Sequence, residues 1–308
     1  MRAKFLYESE SEEFDPSLPT VYRTDDLSAN GVLEIFRQID EKISGKVAIK
    51  LSTVELGGKN ILPREYIKEL YSVIPNSTIV ECNTAYKGSS RMETSDHLET
   101  ARKNGFDFCK LDIMDAGGEI NLPIQGGKRL KSIPVGRNLM KYDSMLVYTH
   151  FKGHSFAGFG GSLKNIGIGC ASRTGKELIH GKWKADNKFL ENMVDSGKGI
   201  LDRFRNRIAF INVLQNISVD CDCDANAASP TCPDICILGS DNLLAIEQAS
   251  IDIIYSLPSL QNQDIVERIE SRNGLYQLDC MERLDMGSRD YNIVRIDKEE
   301  GSGEADYR

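Results

Sequence analysis

The sequence predicts an α/β fold built on a mostly parallel, doubly wound sheet with helices on both faces. Two observations carry this expectation. Strand-like and helix-like periodicity alternate several times along the chain, the pattern of successive βα units. The 308 residues are enough for one large α/β domain with a sizeable core.

The elements follow in order. Lys46–Leu51 (KVAIKL) reads as a buried strand, and Pro63–Ile74 as a helix with proline at its first position, where the missing N–H costs nothing. Thr78–Cys82 is a strand, and Thr94–Asn104 a helix ended by Gly105. Asp107–Ile113 and Ser144–Thr149 read as further strands. A glycine-rich stretch interrupts the alternation, which resumes with a long polar helix at Asn187–Phe204, a strand at Ile208–Leu214 and a helix from about Asp241 to Ser256. No repeat or linker divides the chain, so residues 1–297 are expected to form one domain and 298–308 a flexible tail.

The net charge of −8 comes largely from the ends, notably Glu8, Glu10, Glu12, Glu13 and Asp15 in ESESEEFD. No basic stripe offers a surface to phosphate backbones, which argues against a nucleic-acid partner. No apolar run reaches the roughly 18 residues of a membrane span, and MRAKFLYESESEE lacks the apolar core of a signal peptide. A cytoplasmic protein with reduced thiols is the expectation.

Between Cys221 and Cys236, four of the eight cysteines fall within sixteen residues, as CDCDANAASPTCPDIC. Buried structural thiols would sit among apolar residues and a disulfide would suit a secreted protein. This segment is rich in Asp, Asn, Ser and Pro instead. Thiolates so close in sequence suit one metal centre, and Cys221, Cys223, Cys232 and Cys236 form a candidate quartet.

The second informative region is THFKGHSFAGFGGSLKNIGIGCASRTGK, Thr149 to Lys176, directly after a strand. In an open α/β sheet, ligands bind at the carboxyl ends of strands. Gly158, Gly160 and Gly161 would let backbone amides approach an anion, with Lys152 and Lys164 as point charges and Asn165 as a donor. So many titratable groups in such a stretch, His150 and His154 among them, serve no packing purpose. The expectation is an anion-binding pocket formed by the loop from Phe151 to Gly169.

Three familiar motifs fail on spacing. GCASRTGK has one residue too many for a P-loop, and Glu177 replaces the magnesium-holding hydroxyl. GFGG lacks the third glycine of a dinucleotide fingerprint. Ser155 and Ser162 have no GxSxG elbow around them.

Taken together, THFKGHSFAGFGGSLKNIGIGCASRTGK, IKLSTVELGGKNILP, NTAYKGSSRMETSDHLETARKNGF, NVLQNISVDCDC, PDICILGSDNLLAIEQAS and MERLDMGSRDYNIV resemble the domain of unknown function 362 family, from about Lys46 to Val294. Its members are commonly described as predicted iron–sulfur centre proteins. The resemblance implies site roles for His150, Lys152, Gly153 and His154, for Gly158, Gly160, Gly161, Lys164, Asn165 and Cys170, and for Gly175, Lys176 and His180. It also implicates Tyr86, Gly88, Arg91 and His97 upstream, and Cys221 and Cys223. The chain departs from many relatives by lacking a ferredoxin-like insert after His180, so it is a short form. It also carries Cys232 and Cys236 where relatives have an apolar residue and glycine. A second ligand set follows from the resemblance: Cys170, Cys221 and Cys223, with His150, His154 or His180 as fourth partner.

Two functional classes are expected. One is an oxidoreductase or related metalloenzyme with one iron–sulfur cluster or zinc, acting on a small anionic molecule or additional anionic cofactor, with an electron-transfer partner and a histidine moving protons. The other is a non-catalytic binding protein with a structural zinc and an anion-binding glycine loop.

Overall fold

A computed structural model describes residues 14–221 and 227–297. The chain opens with β1 (Thr20–Thr24) and α1 (Ala29–Ile39), capped where Ser28 accepts a hydrogen bond from the amide of Gly31. Then come β2 (Val47–Lys50), α2 (Arg64–Val73), β3 (Ser77–Glu81), α3 (Thr94–Lys103) and β4 (Leu111–Ile113). A two-stranded antiparallel ribbon, β5 (Glu119–Pro123) with β6 (Ser132–Gly136), precedes β7 (Ser144–His150). A short hairpin of β8 (Lys152–His154) and β9 (Gly158–Gly160) leads into α4 (Ser162–Gly167), α5 (Arg173–His180) and α6 (Asn187–Phe204). The rest comprises β10 (Ile208–Leu214), β11 (Cys236–Ser240), α7 (Leu243–Ser256), α8 (Ser259–Ser271), α9 (Tyr276–Arg283) and β12 (Asn292–Arg295).

Eight strands form the central sheet in the order β12-β1-β11-β10-β7-β2-β3-β4. The five from β10 to β4 are parallel throughout. Strand β11 runs against both β10 and β1, while β12 runs with β1, so β11 alone is reversed. Every residue of β7 and β10 is buried, as for central strands covered on both faces. Successive side chains alternate between two cores. Met145, Val147 and Phe210 join Leu163 of α4, Met193 of α6 and Leu244 of α7, while Leu146, Tyr148 and Ile211 join Ile35 of α1 and Leu70 of α2. Each large side chain removed from water in this way contributes about 2 kcal/mol.

The mostly parallel sheet with helices on both faces is therefore the fold. Several local readings change. Pro63 stands one residue before α2, as its N-cap. Of Asp107–Ile113 only Leu111–Ile113 joins the sheet, because Phe108 packs on Phe106 and Tyr71 before the strand begins. The stretch from Phe151 to Gly169 is a hairpin and a helix rather than a loop, and the cysteine-rich segment ends inside β11. The acidic run from Glu8 to Glu13 and the tail at 298–308 lie outside the described residues.

Candidate functional site

The strand order reverses at one place in the parallel part of the sheet. From β2 the chain continues outward through β3 and β4, whereas β7 and β10 lie on the other side of β2. The helices therefore diverge at the β2/β7 junction and leave a crevice beyond the carboxyl ends of the strands, the position where open α/β sheets bind ligands. A cavity of about 360 Å³ opens there. Its walls come from the end of β2 (Lys50), the end of β3 (Glu81, Cys82), the following segment (Tyr86, Arg91), the β8–β9 hairpin (His154, Phe156), α4 (Lys164, Asn165), α5 (Lys176, His180), Trp183 and Cys221.

Glu81 and Arg91 form one charged wall. Arg91 lies 3.4 Å from Glu81 and 3.5 Å from Glu55, and His97 packs behind Glu81 at 3.6 Å. Burial alone would raise the Glu81 carboxyl, but the neighbouring His97 and the charge of Arg91 hold it well below the usual carboxylate range. Glu55 accepts from Tyr86 (2.8 Å) and Ser89 (2.7 Å) and is held at about 2, because these bonds and Arg91 outweigh its burial. This network fixes the loop carrying Tyr86 and Arg91 against the cavity.

Lys50 is 1 % exposed. Its ammonium group reaches the carbonyl of Leu51 and Asn165 Oδ1, the latter at 3.1 Å. Burial pushes its pKa down, against the opposing attraction of Glu81. The Asn165 Nδ2 donates to Thr149 Oγ1 (2.9 Å) and the carbonyl of Tyr148 (3.1 Å). Asn165 thus spends both ends of its amide stitching β2 to β7, and holds Lys50 in place.

The two cavity histidines are fixed in opposite tautomers. His154 Nδ1 accepts from the amides of Phe156 (3.2 Å) and Ala157 (3.0 Å), so in the neutral ring the proton is on Nε2. His180 Nδ1 meets the Lys176 carbonyl at 2.7 Å and must donate, which leaves its Nε2 with the lone pair. Burial, reinforced by Lys164 and His180, pushes His154 well below the usual imidazole range. Burial, reinforced by Lys164 and Lys176 and opposed by the bond to the Lys176 carbonyl, takes His180 to about 4. Phe156 packs between them, 6.3 Å from the ring of His154 and 5.9 Å from that of His180. Helix α5 begins at Ser172, whose side chain caps it by accepting from the amide of Gly175. Lys176 and His180, four residues apart, consequently share its cavity-facing side.

The remaining anticipated residues are distributed unevenly. His150 and Lys152 border a smaller cleft of about 60 Å³ beside the cavity, together with Gly160 and Gly161, and Lys164 and Asn165 line both. Lys152 donates to the His150 carbonyl at 2.7 Å, and His150 Nε2 lies 3.2 Å from the Asn216 carbonyl. The glycines serve close packing more than ligand contact. Gly158 has φ +81° in the hairpin turn, and a Cβ at Gly161 would lie 2.2 Å from Glu247 Oε2. The amides that open α4 are taken by that same carboxylate, with Ser162 N at 2.6 Å. The positive field of the cavity comes from lysine side chains, Lys164 and Lys176 among them.

Among the described residues, the cysteines do not gather. Cys221 accepts from Lys164 Nζ at 3.4 Å, on the cavity wall. Cys170 is fully buried, its carbonyl accepting from Cys82 Sγ, and burial pushes its thiol to about 11. Cys236 opens β11 opposite Leu214, and burial pushes it and Cys232 to about 12. Cys223 lies outside the described residues. Among the described residues, no three of His, Cys, Asp and Glu converge as metal ligands, and Cys223, which both anticipated ligand sets include, is not among them.

Sequence reasoning missed Lys50 and Glu81. The available signal was a charged residue closing each of two apolar strands, KVAIK and STIVE.

A mostly parallel α/β sheet with a cation-lined cavity at its switch point defines the class. Residues 47–252 match the family model described as Domain of unknown function (DUF362), and the chain belongs to that family. Two solved structures are similar to it. The lactate racemase apoprotein from Thermoanaerobacterium thermosaccharolyticum shares 13 % identity over 76 % of this chain and 56 % of its own, with a TM-score of 0.44. A protein from Thermotoga maritima shares 11 % identity over 61 % of this chain and 51 % of its own, with a TM-score of 0.40. The chain thus spans about half the length of the solved structures it matches. Among curated proteins, none matches the chain. No helix among the described residues is long and apolar enough to cross a membrane.

Proposed function

We propose that the switch-point cavity binds a small molecule bearing a carboxylate or phosphate group and moves a proton on it. The carrying observation is the pair of neutral histidines with opposite tautomers on one cation-lined cavity. His154 presents an N–H donor, and His180 presents a lone pair. Lys164 and Lys176 supply charge for the anion, and Glu81 with Arg91 holds the opposite wall. In the unliganded site His180 is too weak a base to act near neutrality. Burial is the main cause of that depression, and a bound anion offsets the part that Lys164 and Lys176 add, so binding raises His180 from its unliganded value.

Calorimetry with inorganic phosphate in two buffers of different ionisation enthalpy tests this reading at pH 5. Binding should take up a proton in the wild type and none in His180→Gln, while Lys176→Met should weaken binding about tenfold, the equivalent of one charge-assisted hydrogen bond. Absence of phosphate binding, or uptake unchanged in His180→Gln, would overturn it.

A second reading adds an iron–sulfur or zinc centre and electron transfer with a partner protein. One observation favours it: Cys221, first of the CDC pair, lies on the cavity wall against Lys164. Elemental analysis of anaerobically purified protein decides, with bound iron or zinc that is lost in Cys221→Ser supporting it and metal-free wild type removing it.

A further inference from the structure

We infer that Lys50 is a nucleophile that forms an imine with the carbonyl carbon of a small α-oxo carboxylate held in the switch-point cavity. This rests on the anion-binding reading of that cavity and adds the substrate's reactive group. The argument begins with an energetic mismatch. An ammonium group removed from water is tolerated when a carboxylate pairs with it, yet Lys50 is 1 % exposed and no carboxylate pairs directly with its Nζ among the described residues. The groups facing it are Glu81, close enough to be felt but not bonded, the cation of Lys176, and the buried thiols of Cys82 and Cys170. Burial favours the uncharged amine there.

The hydrogen bonds fit that state. A neutral amine has two hydrogens and one lone pair, and Lys50 Nζ has two acceptors, the Leu51 carbonyl and Asn165 Oδ1. Both hydrogens are thereby used, and the lone pair is left for attack. Asn165 is itself anchored on Tyr148 and Thr149, so the nitrogen is held in position before any substrate arrives. Space for the end of the side chain comes from Gly169, where a Cβ would lie 2.7 Å from Lys50 Nζ. A desolvated lysine beside a second cation is the general arrangement of an amine nucleophile.

The neighbouring charges select the substrate. Lys164 and Lys176 border the same cavity and suit a carboxylate next to the carbonyl under attack. The nitrogen lone pair forms the C–N bond as the carbonyl π pair moves to oxygen, which takes a proton to give a carbinolamine. Loss of the remaining N–H proton and of hydroxide, released together as water, leaves the C=N bond. The substrate carbonyl plus the amine equals imine plus water, with no change of oxidation state. The His180 lone pair takes the proton that the nitrogen loses and passes it to the oxygen, and His154 Nε2–H hydrogen-bonds that oxygen as charge develops on it.

The full-length protein incubated with pyruvate and reduced with borohydride should gain one pyruvyl adduct per chain, mapping by peptide mass spectrometry to Lys50. Lys50→Arg should lower trapping at least tenfold, while Lys103→Arg, on the exposed side of α3 and away from the cavity, should retain it. Mapping on the wild type keeps the test decisive if Lys50→Arg fails to fold. Calorimetry on the same sample separates the two levels of argument. Phosphate binding without any pyruvate adduct, or with adduct confined to other lysines, overturns the imine and leaves the anion-binding reading standing. Absence of binding to either anion overturns both.

Discussion

Two glutamates buried near the same end of the sheet have opposite fates. Glu81 closes β3, is 4 % exposed, and has Arg91 and His97 against it, which keep it ionised. Glu247 on α7 is fully buried and receives only neutral donors, the Ser162 amide at 2.6 Å and Asn212 Nδ2 at 3.3 Å. Burial pushes it up to about 7, despite those bonds. Around it, Asn212 reaches Ser250 at 3.0 Å and Ser162 Oγ reaches Asn212 at 2.7 Å, a polar layer that locks α4 onto β10 and α7. The difference shows where this fold maintains charge. Ion pairs line the cavity, whereas the polar layer beneath α4 works without them.

The largest effect that would break the comparison is at Glu81. Glu81→Gln removes the carboxylate from Arg91 and from buried His97 while their desolvation remains. Breaking a buried pair from one side costs about 3–5 kcal/mol. Urea unfolding at pH 7 measures it, and a loss below about 1 kcal/mol would mean that Glu81 is no keystone of the cavity wall.

Glu247→Gln should act through pH instead. The folded-state pKa of about 7 lies above the ordinary 4.5, so the folded protein holds a proton that the unfolded chain has released. That stabilisation is fully present below pH 4.5 and is lost as pH rises through 7, a change of about 3 kcal/mol. His180, lowered to about 4, gives a slope of opposite sign between roughly pH 4 and 6.5. The informative quantity is therefore the wild-type minus Glu247→Gln stability across pH 4.5–7.5. It should fall as pH rises, and a flat difference would show that Glu247 titrates normally.

The same contrast explains what the sequence revealed. His154, Lys164, Lys176 and His180 stand in a glycine-rich stretch whose density of titratable groups is conspicuous without any structure. Lys50 and Glu81 are single charged residues closing apolar strands, a weak signal that many solvated strand ends share. They become site residues only through the sheet order, which pairs Val47 of β2 with Ser144 of β7 and so sets the ends of β2 and β3 against α4 and α5. Periodicity found the long buried strands and α6 because one pattern dominates over many residues. It failed at β11, since CDCDANAASPTCPDIC looks like an exposed loop up to the residue where Cys236 enters the sheet. The cysteine spacing invited one centre; of its four members, Cys236 lies in β11, Cys221 lies on the cavity wall and Cys223 lies outside the described residues.

The smallest expected effect concerns that cysteine. Cys236 pairs with Leu214 across β10 and β11 and packs in the core shared with α7, with its thiol kept neutral by burial. It behaves there as a small apolar side chain. Cys236→Ala should cost about 1 kcal/mol, the loss of one buried methyl-sized group. Phosphate affinity and metal content should match the wild type, because the residue belongs to the strand and not to the cavity wall. A loss of several kcal/mol accompanied by loss of bound zinc would reverse this assignment: the thiol would then be a ligand, and the cysteine-rich segment, rather than the cation-lined cavity, would become the chemical centre of the molecule.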